Sequence, residues 1–141
     1  TDPHAADAVL DAVDVKLVPW DVCRHAAFLS GSTIDRLTDR NDACLTDFLA
    51  RITERPREVT RTAYGRDGLV LADPLTAVGC VDRTVIQRTA THTGTIGRSA
   101  GHKRGALSLG TVDDPSAPRI TLVEDVDPDR FRRLLIDTFG Q

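Results

Sequence analysis

The spacing of apolar residues changes near residue 84 of this 141-residue chain. Before that point, apolar residues recur mainly at three- and four-residue steps, which is the period of an amphipathic helix. After it, residues 84–93, 106–112 and 119–126 form runs that are typical of strands, and a glycine-rich loop separates the first two. Helices followed by strands in a chain of this length predict an α/β fold.

The helical part of the chain also contains a predicted strand. Asp2 and Pro3 open a helix over residues 4–12, since Asp caps free amides and Pro suits the first helical position. Residues 15–19, VKLVP, form a short apolar run typical of a buried strand, and residues 20–25 are predicted to be helical. This order predicts one step of a wound α/β sheet, with the strand in a central position.

Two longer helical segments are also predicted. Residues 32–64 are amphipathic, and Pro56 should end or kink this helix, because its ring disrupts the backbone hydrogen bonding. Asp127 precedes a final helix that carries apolar residues on one face and ends at Gly140. The final helix is expected to pack on the sheet.

Composition argues against several functional classes. The formal net charge is −3, whereas a generic nucleic-acid binder is usually basic. No apolar run approaches the roughly 20 residues needed to span a bilayer, so no membrane partner is expected. Cys23, Cys44 and Cys80 form no CxxC pair, which disfavours a zinc site or a disulfide framework. A reduced, cytoplasmic setting is therefore expected.

Residues 70–81, VLADPLTAVGCV, contain the most informative carboxylate. Asp73 precedes Pro74, and Asp in such a pair commonly caps a helix that starts there. Alternatively, the carboxylate follows an apolar strand and faces a cleft, because ligands in open α/β sheets bind at the carboxyl ends of strands. One residue is able to serve both roles, so both interpretations stay open.

The order of several segments along the chain carries a family resemblance. DPHAA at 2–6 is followed by VPWDV at 18–22, a long helical segment, LADPLTAV at 71–78, RGALSLGTVDD at 104–114 and RITLVEDVDPDRFRRLL at 119–135. Together they resemble the C-terminal half of the inosine-uridine nucleoside hydrolases. The resemblance implies that residues 1–141 form one partial domain of that fold. It would be a sheet flanked by helices, with a late β-rich section and a C-terminal helix.

The resemblance also implies a reaction and a metal ion. The family cleaves the N-glycosidic bond of ribonucleosides to free base and ribose, a step of nucleoside metabolism and purine salvage. A Ca²⁺ ion binds the ribose hydroxyls and the attacking water, and a family Asp at the position of Asp73 is one of its ligands. Tyr64 falls roughly where the family places a mobile helix over the nucleobase. It is therefore a candidate for stacking on the base, with core packing as the alternative.

The sequence departs from the family's pattern in two respects. Family members usually have His directly before the calcium-binding Asp, where it helps to protonate the leaving base, but Ala72 has no proton to donate. The family's N-terminal DxDxxxDD cluster, which supplies most calcium ligands, has no counterpart in these residues. We therefore expect a chain that is inactive alone and works with an N-terminal half or in a homo-oligomer. Asp73 would be its one calcium ligand, and the preferred nucleobase stays open.

Two alternative functions remain. A non-catalytic subunit or ligand-binding module of the same fold is favoured by Ala72, whereas the retained Asp73 favours a hydrolase. A nucleic-acid-binding module is the less favoured alternative. Its basis is residues 83–112, which hold no acidic residue but several basic ones, namely Arg83, Arg88, Arg98, Lys103 and Arg104. This stretch lacks interleaved aromatic residues, and Arg is common on exposed strands.

Overall fold

The computed structural model describes residues 2–39, 42–113 and 118–139. No helix among these residues is long and apolar enough to cross a membrane. The described elements alternate helices and strands before residue 82 and are mainly strands after it, as the sequence predicts. In chain order they are α1 (Pro3–Ala12), β1 (Val15–Leu17), α2 (Trp20–Ala26), β2 (Phe28–Ser30), α3 (Gly31–Thr38), α4 (Ala43–Tyr64), β3 (Gly68–Val70), α5 (Ala72–Val81), a 3-10 turn (Arg83–Val85), β4 (Ile86–Ile96), β5 (Leu107–Gly110), β6 (Ile120–Val126) and α6 (Pro128–Phe139).

The chain forms two compact units. The first unit comprises residues 1–19 and 88–125, and the second comprises residues 20–87 and 126–141. The four-stranded sheet belongs to the first unit, apart from the strand ends at 86–87 and 126. The second unit contains the remaining helices and a two-stranded sheet formed by β2 and β3.

The four-stranded sheet is mixed and has the strand order β1-β6-β4-β5. β1 pairs with β6 in parallel, and β4 pairs with β5 in antiparallel fashion. The predicted late β-rich section is present as β4, β5 and β6 of this sheet. The central position predicted for β1 is wrong, because among the described residues it lies at the edge of the sheet and pairs with β6 alone. Its short length and exposed Lys16 are features of edge strands.

The first unit is held together by polar contacts around α1 and β1. Asp7 of α1 accepts from the amide of Ile96 at 3.3 Å and pairs with Arg98 at 3.1 Å. Asp14 accepts from the amide of Arg119 at 2.7 Å, just before β6 begins. These bonds hold the middle of α1 and the connection between α1 and β1 against the later part of the same unit.

The second unit is built around the short β2–β3 pair. Leu29 lies opposite Leu69, and the pairing extends at one end through the amide of Leu71, which donates to Ala27 at 2.9 Å. The sequence did not predict β2, because three residues between two helices show no alternation. The core of this unit consists of buried apolar side chains, namely Cys23, Ala26, Ala27, Leu29, Ile34, Leu69, Leu75, Val85, Val126, Phe131 and Leu135.

Helix α4 is continuous through Pro56, so the proline does not end the helix. The Asp42 carboxylate caps its first turn, accepting from the amides of Cys44 and Leu45 at 2.9 and 3.1 Å. Gly65 ends it in the left-handed conformation, at φ 64°. These two caps favour one long helix despite the backbone hydrogen bond that proline removes.

Helix α6 begins as predicted. The Asp127 carboxylate accepts from the amides of Asp129 and Arg130 at 3.0 and 2.9 Å, which satisfies free donors of the first turn. The predicted stop at Gly140 lies outside the described residues. Arg130 then donates to Asp82 at 2.6 Å and so connects the first turn of α6 to the end of α5.

Candidate functional site

Asp73 lies in the first turn of α5, just beyond the end of β3. The helix begins at Ala72, and Leu71 occupies the capping position without a side-chain hydrogen bond. The interpretation of Asp73 as a helix cap is therefore wrong. Within the described part of the chain its carboxylate makes no hydrogen bond or ion pair.

Asp73 lines a cleft of about 570 Å³ between α5 and α6. It also lines an open cleft of about 420 Å³ elsewhere in the second unit. We call this the Asp73 cleft. Among the described residues that line it, Asp73 is the only ionisable one. The others are mainly apolar and come from α2, α4 and the β3–α5 connection, namely Trp20, Ile52, Thr53, Pro56, Leu69, Val70, Leu71, Ala72 and Pro74. The cleft thus joins one carboxylate to an apolar surface.

Two large apolar side chains of the cleft are open to solvent. Trp20 at the start of α2 and Ile52 in α4 are each 51% exposed. Exposed apolar groups of this size at a concave site favour an apolar or aromatic ligand. Sequence analysis did not assign either residue to the site. Trp20 directly follows the strand predicted over residues 15–19, and ligands in α/β sheets bind at this end of a strand. This position could have identified Trp20 as a site residue.

No group of three or more His, Cys, Asp or Glu side chains that could hold a metal ion occurs in the described part of the chain, so Asp73 belongs to no such group. Its carboxylate has the right chemistry for a hard cation such as Ca²⁺, which takes six to eight oxygen ligands. Asp73 therefore fits calcium as one ligand of a larger set.

Cys23 packs beneath this region as a buried thiol. Burial raises the pKa of Cys23, and the nearby negative charge of Asp73 raises it further. Both effects favour the neutral thiol over the thiolate, which is the nucleophilic form. We therefore assign Cys23 to packing of the core.

Tyr64 lies in a different cleft from Asp73. It ends α4 and lines a smaller cleft of about 170 Å³, where the guanidinium of Arg24 lies 4.8 Å from the centre of its ring. Helix α4 contributes Ile52, Thr53 and Pro56 to the Asp73 cleft instead. Of the sequence-predicted site residues, the structure brings together Ala72 and Asp73 and places Tyr64 elsewhere.

Comparison with known proteins identifies the family. The family model described as inosine-uridine preferring nucleoside hydrolase matches residues 1–133. The chain belongs to this family. No curated protein matches its sequence.

Several solved nucleoside hydrolases share the fold. They are a plant nucleoside hydrolase (TM-score 0.83, 23% identity), an inosine-guanosine nucleoside hydrolase (0.80, 19%) and a purine-preferring ribonucleoside hydrolase from Gardnerella vaginalis (0.83, 24%). Each match covers 99% of this chain, and 46%, 44% and 44% of the respective solved chains. The chain therefore spans less than half the length of these nucleoside hydrolases.

Ala72 is the residue that the sequence resemblance aligns with the family's usual His. It is half-buried in the first turn of α5, and its carbonyl accepts from the Thr76 hydroxyl at 3.0 Å. The methyl side chain makes room beside Asp73 but provides no proton.

Several arginines of the basic stretch at 83–112 are bound by other groups of the same chain. Arg88 pairs with Glu124 at 2.9 Å, and Arg98 pairs with Asp7 at 3.1 Å. Arg104 donates to the carbonyl of Arg98 at 2.6 Å. These guanidinium groups are engaged by the protein itself, which weakens the nucleic-acid hypothesis.

Proposed function

We propose that the chain supplies part of the catalytic centre of a nucleoside hydrolase, which cleaves the N-glycosidic bond between ribose and base. The observation that supports it most directly is the unpaired carboxylate of Asp73. Asp73 lines a mainly apolar cleft at the start of α5, in a chain of the nucleoside hydrolase family. Structural roles such as capping or ion pairing do not account for this carboxylate.

Asp73 would act as one ligand of a calcium ion. When bound, Ca²⁺ supplies ribose binding and a lowered pKa of the attacking water. A tight calcium site takes six to eight oxygens, so the other ligands would come from a complementary part of the enzyme. The similar solved chains are more than twice as long as this one, which supports such a part.

The apolar side of the Asp73 cleft would hold the nucleobase. A nucleobase is planar and aromatic, and Trp20 and Ile52 offer exposed apolar surface next to the proposed ribose position. Apart from Asp73, no described residue lining the cleft carries charge, which suits an uncharged ring. The chain's own residues would therefore position base and sugar, while the proton acceptor lies in the complementary part.

Departure of the base is the step that this chain supports least. The base leaves more easily when one of its nitrogens is protonated, and Ala72 has no proton to give. Substitution Ala72→His in the assembled enzyme should therefore raise the rate for bases that need protonation. General acids typically contribute about 10²–10⁴-fold.

A second candidate function is nucleoside binding without hydrolysis, by a non-catalytic subunit. The observation that favours it is the same Ala72.

One experiment tests both candidate functions. The chain is co-expressed with an N-terminal half of a nucleoside hydrolase, and release of free base from ribonucleosides is measured. Calcium-dependent release supports the hydrolase. Nucleoside binding with no release by either the natural chain or Ala72→His supports the non-catalytic subunit.

A further inference from the structure

A second cleft of the same unit has a different chemistry. It lies where the ends of α2 and α4 meet the β2–β3 pair and has a volume of about 170 Å³. We call it the arginine cleft. The residues that line it are two arginines, a histidine, two aromatic residues and two smaller ones, namely Arg24, His25, Phe28, Thr60, Tyr64, Arg66 and Val70. None of these lining residues is acidic.

Aromatic rings hold both guanidinium groups in place. Arg24 lies 4.8 Å from the centre of the Tyr64 ring, and Arg66 lies 3.8 Å from the centre of the Phe28 ring. Such contacts use the flat face of the guanidinium, while its five N–H donors point outward in the plane. The two groups are thus ordered without using their hydrogen-bond donors.

Neither arginine is neutralised by a carboxylate in the described part of the chain. The acid that follows Arg66 in sequence, Asp67, is already engaged. It accepts from Arg57 at 2.7 Å and from Arg61 at 3.0 Å. These bonds hold the pKa of Asp67 at about 2, so it stays ionised and bound to that pair. The positive charge of Arg24 and Arg66 therefore remains available to a ligand.

We propose that the arginine cleft binds the phosphate group of a small phosphate ester. Two forked guanidinium groups match the oxygens of a phosphate, which they are able to bind through paired hydrogen bonds. His25 and the largely buried Thr60 add further polar groups to the lining. The volume is suited to a phosphate and part of its organic substituent. Val70 lines both this cleft and the Asp73 cleft, but phosphate binding here requires neither Asp73 nor the hydrolase proposal.

Isothermal titration calorimetry of the full chain at low salt tests the site. Ribose 5-phosphate, adenosine 5′-monophosphate and inorganic phosphate are the three probes. We expect at least one ester to bind, and Arg24→Gln and Arg66→Gln each to weaken its binding about 10- to 100-fold, the range for hydrogen bonds to charged groups. Arg36→Gln is the matched control, because it removes an exposed, unpaired guanidinium away from the cleft. It should bind like the natural chain.

Two further variants test the supporting rings. Tyr64→Leu removes the ring under Arg24 and should weaken ester binding several-fold, whereas Tyr64→Phe restores the ring and the binding. Thermal unfolding of every variant identifies those that no longer fold. The proposal is overturned if the folded Gln variants bind as the natural chain does. It is also overturned if neither ester binds, whether or not inorganic phosphate does.

Discussion

Trp20 and Asp73, far apart in sequence, line the same cleft at the starts of two helices, α2 and α5. One offers an exposed indole and the other an unpaired carboxylate. A nucleoside has the matching pair of groups, an aromatic base and a polyhydroxyl sugar. This pairing underlies the proposal that the cleft receives a nucleoside.

The indole provides a direct measure of base binding, because Trp20 is the single tryptophan of the chain. A purine base that contacts it should quench its fluorescence in a saturable titration. Ile52→Ala should weaken this binding several-fold, since Ile52 lines the cleft. Val59→Ala is the matched control, because Val59 lies on the same helix, is equally exposed at 51% and lies outside the cleft. Equal effects of the two substitutions would contradict the base site.

Asp67 should make stability depend on pH in the acid range. Its pKa is lowered from 3.8 to about 2. The largest cause is the hydrogen bond from Arg57, and the next largest is the hydrogen bond from Arg61. Because this pKa is lower in the folded than in the unfolded chain, the ionised carboxylate stabilises the fold at pH values above the unfolded pKa. That stabilisation is lost as pH falls from about 4 to about 2. The difference in urea midpoint between the natural chain and Asp67→Asn should therefore shrink over that window. A difference that does not change with pH would contradict this account.

Gly31 lies directly against the ion pair between Arg57 and Asp67. A Cβ at this position would overlap the Asp67 carboxylate and the Arg57 guanidinium. We expect Gly31→Ala to lower the free energy of unfolding by at most about 1 kcal/mol, because the two side-chain ends can swing aside at the cost of a partly exposed ion pair. Gly79→Ala is the control. It lies within α5 with its nearest neighbour 3.5 Å away, so Ala should be neutral or stabilise by about 0.5–1 kcal/mol. Urea unfolding of both variants provides the comparison.

Exposed apolar side chains predict self-association of the isolated chain. Val81 at the end of α5 is 90% exposed, and Phe48 in α4 is 56% exposed. Light scattering coupled to size exclusion should show dimers or larger species, and a Phe48→Ser, Val81→Ser double variant should shift them towards monomer. A monodisperse monomer of the natural chain would show that these surfaces need no partner.

Sequence periodicity was sufficient for most of the fold. The helices α1, α2, α5 and α6 and the late strands follow from apolar spacing together with Asp-Pro helix starts. It failed for β2, whose three residues are too few to show a period, and for the edge position of β1. Strand neighbours depend on contacts between distant segments, which a local pattern does not contain.

The site was predictable only in part. The segment around Ala72 and Asp73 was found through its position after an apolar strand and through the family resemblance. Trp20 and Ile52 were missed, because their shared cleft arises from the packing of α2 and α4 near α5. Tyr64 was a candidate for stacking on the nucleobase, with core packing as the alternative, and in the structure its ring lies against Arg24 in the other cleft. Its proposed role in stacking on the base remains a prediction.

The central claim is that Asp73 is a calcium ligand shared with a complementary part of the enzyme. Calcium binding by the chain assembled with that part, measured by calorimetry, tests it most directly. We predict that Asp73→Ala lowers calcium affinity by at least about tenfold, since ligand charge sets the affinity of such sites. Asp21→Ala is the matched control, because Asp21 is an exposed carboxylate in the first turn of α2 and does not line the cleft. Equal calcium affinity in the natural assembly and the Asp73→Ala assembly would contradict the claim.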